Sequence, residues 1–479
     1  MRVATIAVAA LSLRTATDSA APFSFSLGGT PANLSQWSTT SNSTKLDTVR
    51  TLTTVSFDQD PAALIAQLQR TDYAYSGRLG GSTEQELAEE LLLSFRNDGA
   101  ADSPLLCDVS TLDRTWLLPG SAAATLHTNG GSTASTFDYE PGRRDVPLGA
   151  DMKISPSQGM SSQGVMPWFA LELDGPAGGG AVLSLGWTGN WQLRVTRDAQ
   201  GVRIRASVGD LCAGIHPGEA FRVLRVLLVP IEGAATHDAK AVALRNAMNL
   251  HRRVLVDYKV PRKQTDKASF QGALTASWTW GAWPAAALNE SGQQQHIAWI
   301  DQIGADAWWL DAGWFWAAPR STGRLGSFPD GIGNWRLPAS GSVNSTMFPQ
   351  GLGPLSAAAK AKGLRSVVWF DIEGVFPGTT IWNMTNDQDL VFRNATSGQR
   401  CQLAGQSLLD LGNDRTWQYL LNFSSSAIEE YGIDVFRLDY NVGFDGEPCS
   451  MLPCWRAADP PGRSGMAEVR YVQGLYSLW

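Results

Sequence analysis

Three times in the second half of this chain a short apolar run ends on an aspartate: Ala307–Leu310 before Asp311, Ser366–Phe370 before Asp371, and Val435–Leu438 before Asp439. Runs this short and this continuously apolar suit strands buried on both faces. The segments between them have helical spacing. Asn289–Ile303 carries Ile297, Ile300 and Ile303 and stops at Gly304. Leu352–Lys362 is alanine-rich and closes at Gly363. Asp414–Glu430 is preceded by Asn413 as cap and stopped by Gly432; Trp417, Leu420, Leu421, Ser424 and Ile428 are its expected inner face. With a further strand-like stretch at Ala273–Trp280, the alternation predicts a parallel sheet with crossover helices. A carboxylate at each strand end points to a (β/α)8 barrel, whose chemistry sits at the C-terminal ends of its strands. About four strands are used by Asp439, and Met466–Trp479 reads as a helix with no terminator. An open half-barrel exposes strand edges and apolar surface. The expectation is therefore an incomplete barrel in a C-terminally truncated chain.

The first half has another texture. In Gly201–Val208, Val202, Ile204, Ala206 and Val208 alternate with Arg203, Arg205 and Ser207, the period of a half-buried strand. Ala181–Leu185 and Val223–Val229 are short apolar runs, and Gly130-Gly131 and Gly178-Gly179-Gly180 supply turns. With few helix signals between strands, the reading is an N-terminal β-sandwich over 22–255, a polar linker at 256–268, and the first part of the catalytic barrel over 269–479.

Charge and composition narrow the partners. A net charge of −7 argues against nucleic acid, which needs clustered basic side chains. No apolar stretch is long enough to span a bilayer, so no membrane partner is expected. The histidines are scattered and Cys-x-x-Cys is absent, so neither a metal site nor a cofactor is expected. The 19 tryptophans fit either a large packed core or ring faces that stack on sugars. Of the 5 cysteines, Cys449 and Cys454 bracket a short loop and read equally well as a disulfide or as two thiols. Residues 1–21 resemble a secretory signal peptide. Asn33, Asn42, Asn289, Asn344, Asn383, Asn394 and Asn422 each open an Asn-x-Ser/Thr sequon, which matters only on a secretory route. The localisation expected is secretory, and cytoplasmic if the leader does not act.

Four segments carry chemistry. Asp311 lies among Trp308, Trp309 and Trp314, where an acid can accept from sugar hydroxyls while rings stack; it also fits a turn cap. Gly333-Asn334-Trp335 lies in a Gly- and Pro-rich loop, where Trp335 reads as a sugar wall or as a surface anchor. Asp371 and Glu373 leave their strand two residues apart, a spacing that suits acid/base work or, for Glu373, holding an arginine. Arg437 and Asp439 are in phase, and a cation beside a carboxylate favours its charged form. That is what a glycosidase nucleophile requires, although a structural ion pair has the same pattern.

In their order these segments resemble glycoside hydrolase family 36, the α-galactosidase or melibiase-type enzymes. The resemblance rests on Asp311-Ala312-Gly313-Trp314, Gly333-Asn334-Trp335, Phe348–Leu352, Trp369–Glu373, Leu409–Gly412 and Arg437–Asn441. In the first half it rests on Pro22–Phe25, Gly164–Phe169, Gly186–Trp191 and His216–Glu219. It implies a retaining α-galactosidase acting on terminal α-galactosyl groups of oligosaccharides or simple galactosides. Asp439 would be the nucleophile, and Asp311, Trp335, Arg437 and Asn441 would contact the sugar. The family's acid/base lies on a later strand, outside this chain, and a homo-oligomer is compatible with the family. Asp371-Ile372-Glu373 departs from the usual Glu-Pro-Glu. The rival readings are a galactosyltransferase, an α-N-acetylgalactosaminidase and a non-catalytic sugar-binding fragment.

Overall fold

The computed structural model describes residues 21–59, 63–76, 85–118, 122–132, 138–174, 179–234, 236–260, 276–278, 288–317, 328–384, 390–403, 405–439 and 452–478. The leader, most of the linker, Cys449 and Asn441 lie outside them. Two compact units divide the chain: Met1–Val260 with Pro461–Met466, and Pro261–Pro460 with Ala467–Trp479.

The first unit is built from two large antiparallel sheets. One has nine strands, running from an edge at Ser38–Lys45 to the opposite edge at Pro141–Asp145. The other has eight, with Asp151–Ile154 and Thr30–Pro31 at the ends of its main path. Alternation explains the burial: in Gly201–Val208 the residues Val202, Ile204, Ala206 and Val208 are buried, whereas Arg203 is exposed. Inner side chains of the two sheets meet in aromatic pairs, Phe25 with Phe95 and Phe169 with Trp191. The Thr111 hydroxyl also donates to the Leu224 carbonyl at 2.9 Å.

Sequence reading missed one element here. His237–Tyr258 is a helix of 22 residues, with Thr236 accepting from the Ala239 N–H as its cap. Its Ala247, Leu250 and Val254 pack on Tyr73, Tyr75, Val182 and Val229 of the nine-stranded sheet. Val242, Met248 and Val256 lie exposed on its other side, which blurred its apolar stripe.

Residues 461–466, read from sequence as part of the barrel segment, belong to the first unit. Arg463–Ser464 pairs with Cys212–Ala213 in the eight-stranded sheet. The Arg463 guanidinium donates to both carboxylate oxygens of Glu219 at 2.7 and 2.8 Å. The His216-Pro217-Gly218-Glu219 turn, noted in the sequence only as a motif, thereby receives a structural role.

The second unit holds a parallel sheet of four strands in chain order: Ala276–Trp278, Ala307–Leu310, Arg365–Phe370 and Val435–Leu438. Between successive strands lie the helices Glu290–Ile303, Gly353–Ala361 and Asp414–Tyr431. Their ends follow side-chain chemistry. Asn289 accepts from the Gly292 N–H at 2.9 Å and Asn413 from the Arg415 N–H at 2.9 Å. Gly304 and Gly432 close their helices with φ of 73° and 62°, a left-handed turn that costs glycine little. The inner face of the Asp414–Tyr431 helix is Thr416, Leu420, Phe423, Ser424, Ala427 and Tyr431. Ile428, expected on that face, is exposed. The stripe is rotated because Phe423 and Tyr431, not Ile428, reach the aromatic core beneath the sheet.

The disulfides also differ from expectation. Cys454 pairs with Cys401, and Cys107 with Cys212. Cys449 is not the partner of Cys454. The sequence separation of 53 residues in the observed pair gave no local signal.

Candidate active site

The parallel register fixes which side chains share a face at the strand ends. Trp309 lies opposite Val367, Trp369 opposite Arg437, and Phe370 opposite Leu438. Asp439 follows the last of these strands, and its N–H donates to the Phe370 carbonyl at 2.8 Å, extending the ladder by one residue. Its carboxylate therefore projects just past the sheet. The Trp369 indole N–H donates to Asp439 Oδ2 at 2.9 Å, and the Arg437 guanidinium contacts the same oxygen. Arg437 in turn lies over the Trp309 ring, 5.5 Å from its centroid, a cation–π distance. Two strands thus meet at one carboxylate, and a third reaches it through Arg437. Arg437 and Asp439 are both partly exposed, as a group that meets substrate must be.

Asp311 ends the neighbouring Ala307–Leu310 strand and is buried, with Oδ1 accepting from the Ala312 N–H at 2.7 Å. The indole nitrogen of Trp309, two residues earlier, is buried without a hydrogen-bond partner among the described residues.

Asp371 and Glu373 form a buried acidic pair beside this site. Asp371 Oδ1 accepts from the N–H groups of Glu373 and Gly374 at 3.2 and 3.0 Å. Burial drives its pKa up to about 8, against those backbone donors and aided by the charges of Glu373 and Asp439. Glu373 is raised to about 7, again mainly by burial, with the Tyr471 hydroxyl opposing and Asp439 adding. The Tyr471 hydroxyl donates to Glu373 Oε2, so the partner the structure gives Glu373 is a tyrosine and not the arginine expected from sequence.

A pH dependence follows from the raised value. Between the ordinary glutamate range near 4.5 and about 7, the folded protein holds a proton that the unfolded chain has released. Stability from this group is complete below 4.5 and declines as pH rises through 7. Glu373→Gln keeps an acceptor for Tyr471 and removes the titration. Thermal unfolding followed from pH 5 to pH 8 is expected to show a smaller fall in midpoint for the variant than for the parent. Equal falls would rule out Glu373 as a source of the slope.

Trp335 is brought near but presents no surface. Its relative exposure is 0%. Its indole N–H donates to the Asp371 carbonyl at 2.8 Å, and the Tyr419 hydroxyl donates to its own carbonyl at 2.5 Å. Phe315 and Phe423 lie 5.1 and 5.4 Å away, centroid to centroid. This ring is packed under the strand ends, and neither the sugar wall nor the surface anchor read from sequence describes it. Asn334 beside it staples the loop: its amide donates to the Trp316 carbonyl at 2.7 Å and its Oδ1 accepts from the Thr380 N–H at 3.0 Å. The Asn441 position lies outside the described residues. Sequence reading takes Trp309 only as one of several rings around Asp311 and gives Trp369 no role of its own. The signal was available in their spacing, since both sit two residues before the aspartate of their strand.

Comparison with known proteins bears on the family and the fold. Residues 282–478 match the Melibiase family model. The α-galactosidase Mel36A of Lactobacillus acidophilus is 23% identical over 341 residues, covering 69% of this chain and 41% of that protein. The chain is thus similar in sequence to α-galactosidases over its second half and more. Α-galactosidase 1 of Pediococcus pentosaceus is 25% identical over 192 residues, 40% of this chain and 23% of its own length. The GH36 α-galactosidase AgaA of Geobacillus stearothermophilus, solved in complex with stachyose, superposes with a TM-score of 0.67 at 17% identity. That alignment covers 95% of this chain and 59% of AgaA, and shows a shared fold. The chain thus spans less than half the length of Mel36A and about three fifths of AgaA.

Proposed function

We propose that this GH36-type chain carries the nucleophile side of a retaining α-galactosidase site, on the first four strands of a (β/α)8 barrel preceded by a β-sandwich. The observation that carries the reading is the Asp439 carboxylate, set past the fourth parallel strand and held on one oxygen by Trp369 and Arg437. Asp439 would form a bond to the anomeric carbon as the glycosidic C–O bond breaks, leaving a covalent galactosyl-enzyme. The leaving oxygen takes a proton from a general acid, which the family resemblance puts on a later strand and which is assigned to no residue of this chain. Water then cleaves the ester and restores Asp439. Asp311 and Arg437 would hold sugar hydroxyls, with Asn441 beyond them. The half-buried Trp309 ring supplies the stacking face. The substrates would be terminal α-galactosides of the kind bound by AgaA. A secretory route is part of the proposal, supported by two disulfides, which persist in oxidising compartments.

The test is an aryl α-galactoside whose phenol is acidic enough to leave with little proton help. Phenol release is expected from the α-galactoside and not from the matching β-galactoside or α-glucoside. Equal release from all three would overturn the assignment to α-galactosides.

A further inference from the structure

Every large sheet ends in strands whose outer N–H and C=O groups are unpaired and can template another chain. Among the described residues, three of the edges on the main paths of the two sheets are guarded. Thr30–Pro31 is two residues long and contains proline. Asp151–Ile154 is four residues long with two charges. Pro141–Asp145 contains proline, glycine, two arginines and an aspartate. The fourth edge, Ser38–Lys45, has no proline and no charge before its last residue. It runs eight residues, all exposed, with Lys45 its only charge. Its register with the next strand is unbroken from Ser38 opposite Asp58 to Lys45 opposite Thr51, so no bulge bends it away. It is an unbulged template whose single charge sits at its last residue.

That unguarded strand contains Asn42-Ser43-Thr44, a sequon. Asn42 lies opposite Thr54 and in phase with Ser38 and Thr40, which lie opposite Asp58 and Ser56. Phe57, of the opposite phase on the neighbouring strand, packs on buried Phe23, which leads into the Ser24–Leu27 strand of the other sheet. Asn42 therefore stands on the outer face, away from the inner core. The sequons as a set point the same way. None of the seven sequon asparagines is buried, whereas the buried asparagines Asn97, Asn190 and Asn334 all lack the Ser/Thr two residues on.

We propose that Asn42 is an N-glycosylation site whose glycan keeps the Ser38–Lys45 edge from adding a further strand. The donor is a lipid-linked oligosaccharyl diphosphate. The Asn42 amide nitrogen forms a bond to the anomeric carbon, and the C–O bond to phosphate breaks. The lipid diphosphate leaves with the electron pair, and the amide proton passes to a base of the transferase. The bulky, hydrated product stands at the middle of the strand, where an incoming chain has to lie. This inference rests on the secretory route and not on the galactosidase chemistry.

The experiment expresses the full chain in a eukaryotic cell, once with its own N-terminus and once with an established leader in place of residues 1–21. Glycopeptide mapping after amidase treatment, which leaves aspartate at each occupied asparagine, reads the site. Expected are occupancy at Asn42 and its loss in both Asn42→Gln and Thr44→Ala, the latter keeping the asparagine. Occupancy under the foreign leader alone sinks the native route and leaves the acceptor site standing. No occupancy at Asn42 under either leader overturns the proposal. The shielding role is read by sedimentation against concentration. Asn42→Gln is expected to associate at lower concentration than the glycosylated chain, and adding Thr40→Lys to it is expected to reverse this. An Asn42→Gln chain no more associated than the parent would overturn the shielding.

Discussion

Trp335→Ala is expected to lower the stability of the α/β unit by about 3–5 kcal/mol, the range for deleting a large aromatic from a packed core. The ring has no exposed surface and touches Phe315, Trp314, Phe423 and Phe370 at once. Its removal leaves a cavity that these stiff neighbours cannot close. It also strands the Asp371 carbonyl, whose donor is the Trp335 indole N–H. Trp335→Phe separates the two effects, since it refills most of the volume and still lacks the N–H. A denaturation midpoint close to the parent for Phe and far below it for Ala would assign the cost to packing. The same pair of variants tests the role first expected from sequence. If the ring stacked on a sugar, Trp335→Ala would weaken galactoside binding while leaving the midpoint nearly unmoved, and that outcome would sink the core assignment.

Trp335 also marks where the sequence is legible and where it is not. The strands Ala307–Leu310 and Val435–Leu438 stand where their apolar runs put them, and the helices begin at Asn289 and Asn413 as capping chemistry requires. These features are local: a few residues decide them. The fate of Trp335 is not local. A tryptophan in a Gly- and Pro-rich loop reads as a surface residue until the loop is seen to fold under two strand ends. The Glu373–Tyr471 pair, the Arg463–Glu219 pair and the Cys401–Cys454 bridge are likewise set by residues far apart in the chain, and periodicity carries no information about them. The Asp439 cluster lies between these cases. Parallel strands in chain order, three of the four with an acid after them, already bring the acids to one end of the sheet. What the pattern could not show is that Trp369 and Arg437 would share a single oxygen of one of them.

That sharing gives the last prediction its force. Asp439→Asn keeps the size of the side chain and an oxygen able to accept from Trp369 or Arg437, so the fold should hold and the thermal midpoint should stay near that of the parent. What it removes is the nucleophile, because an amide oxygen does not form a stable ester with an anomeric carbon. Phenol release from the activated aryl α-galactoside is expected to fall by at least ~10³-fold, and a peptide containing residue 439 should carry the galactosyl group in the parent alone. Arg437→Ala acts through the same carboxylate by another route. It leaves the nucleophile in place, frees one of its tethers and uncovers the Trp309 ring, so release should weaken without vanishing and the trapped peptide should still form. If Asp439→Asn and the parent instead released phenol at equal rates, the carboxylate at the end of the fourth strand would be an ion-pair anchor for Arg437, and the attacking group would have to be sought at another strand end.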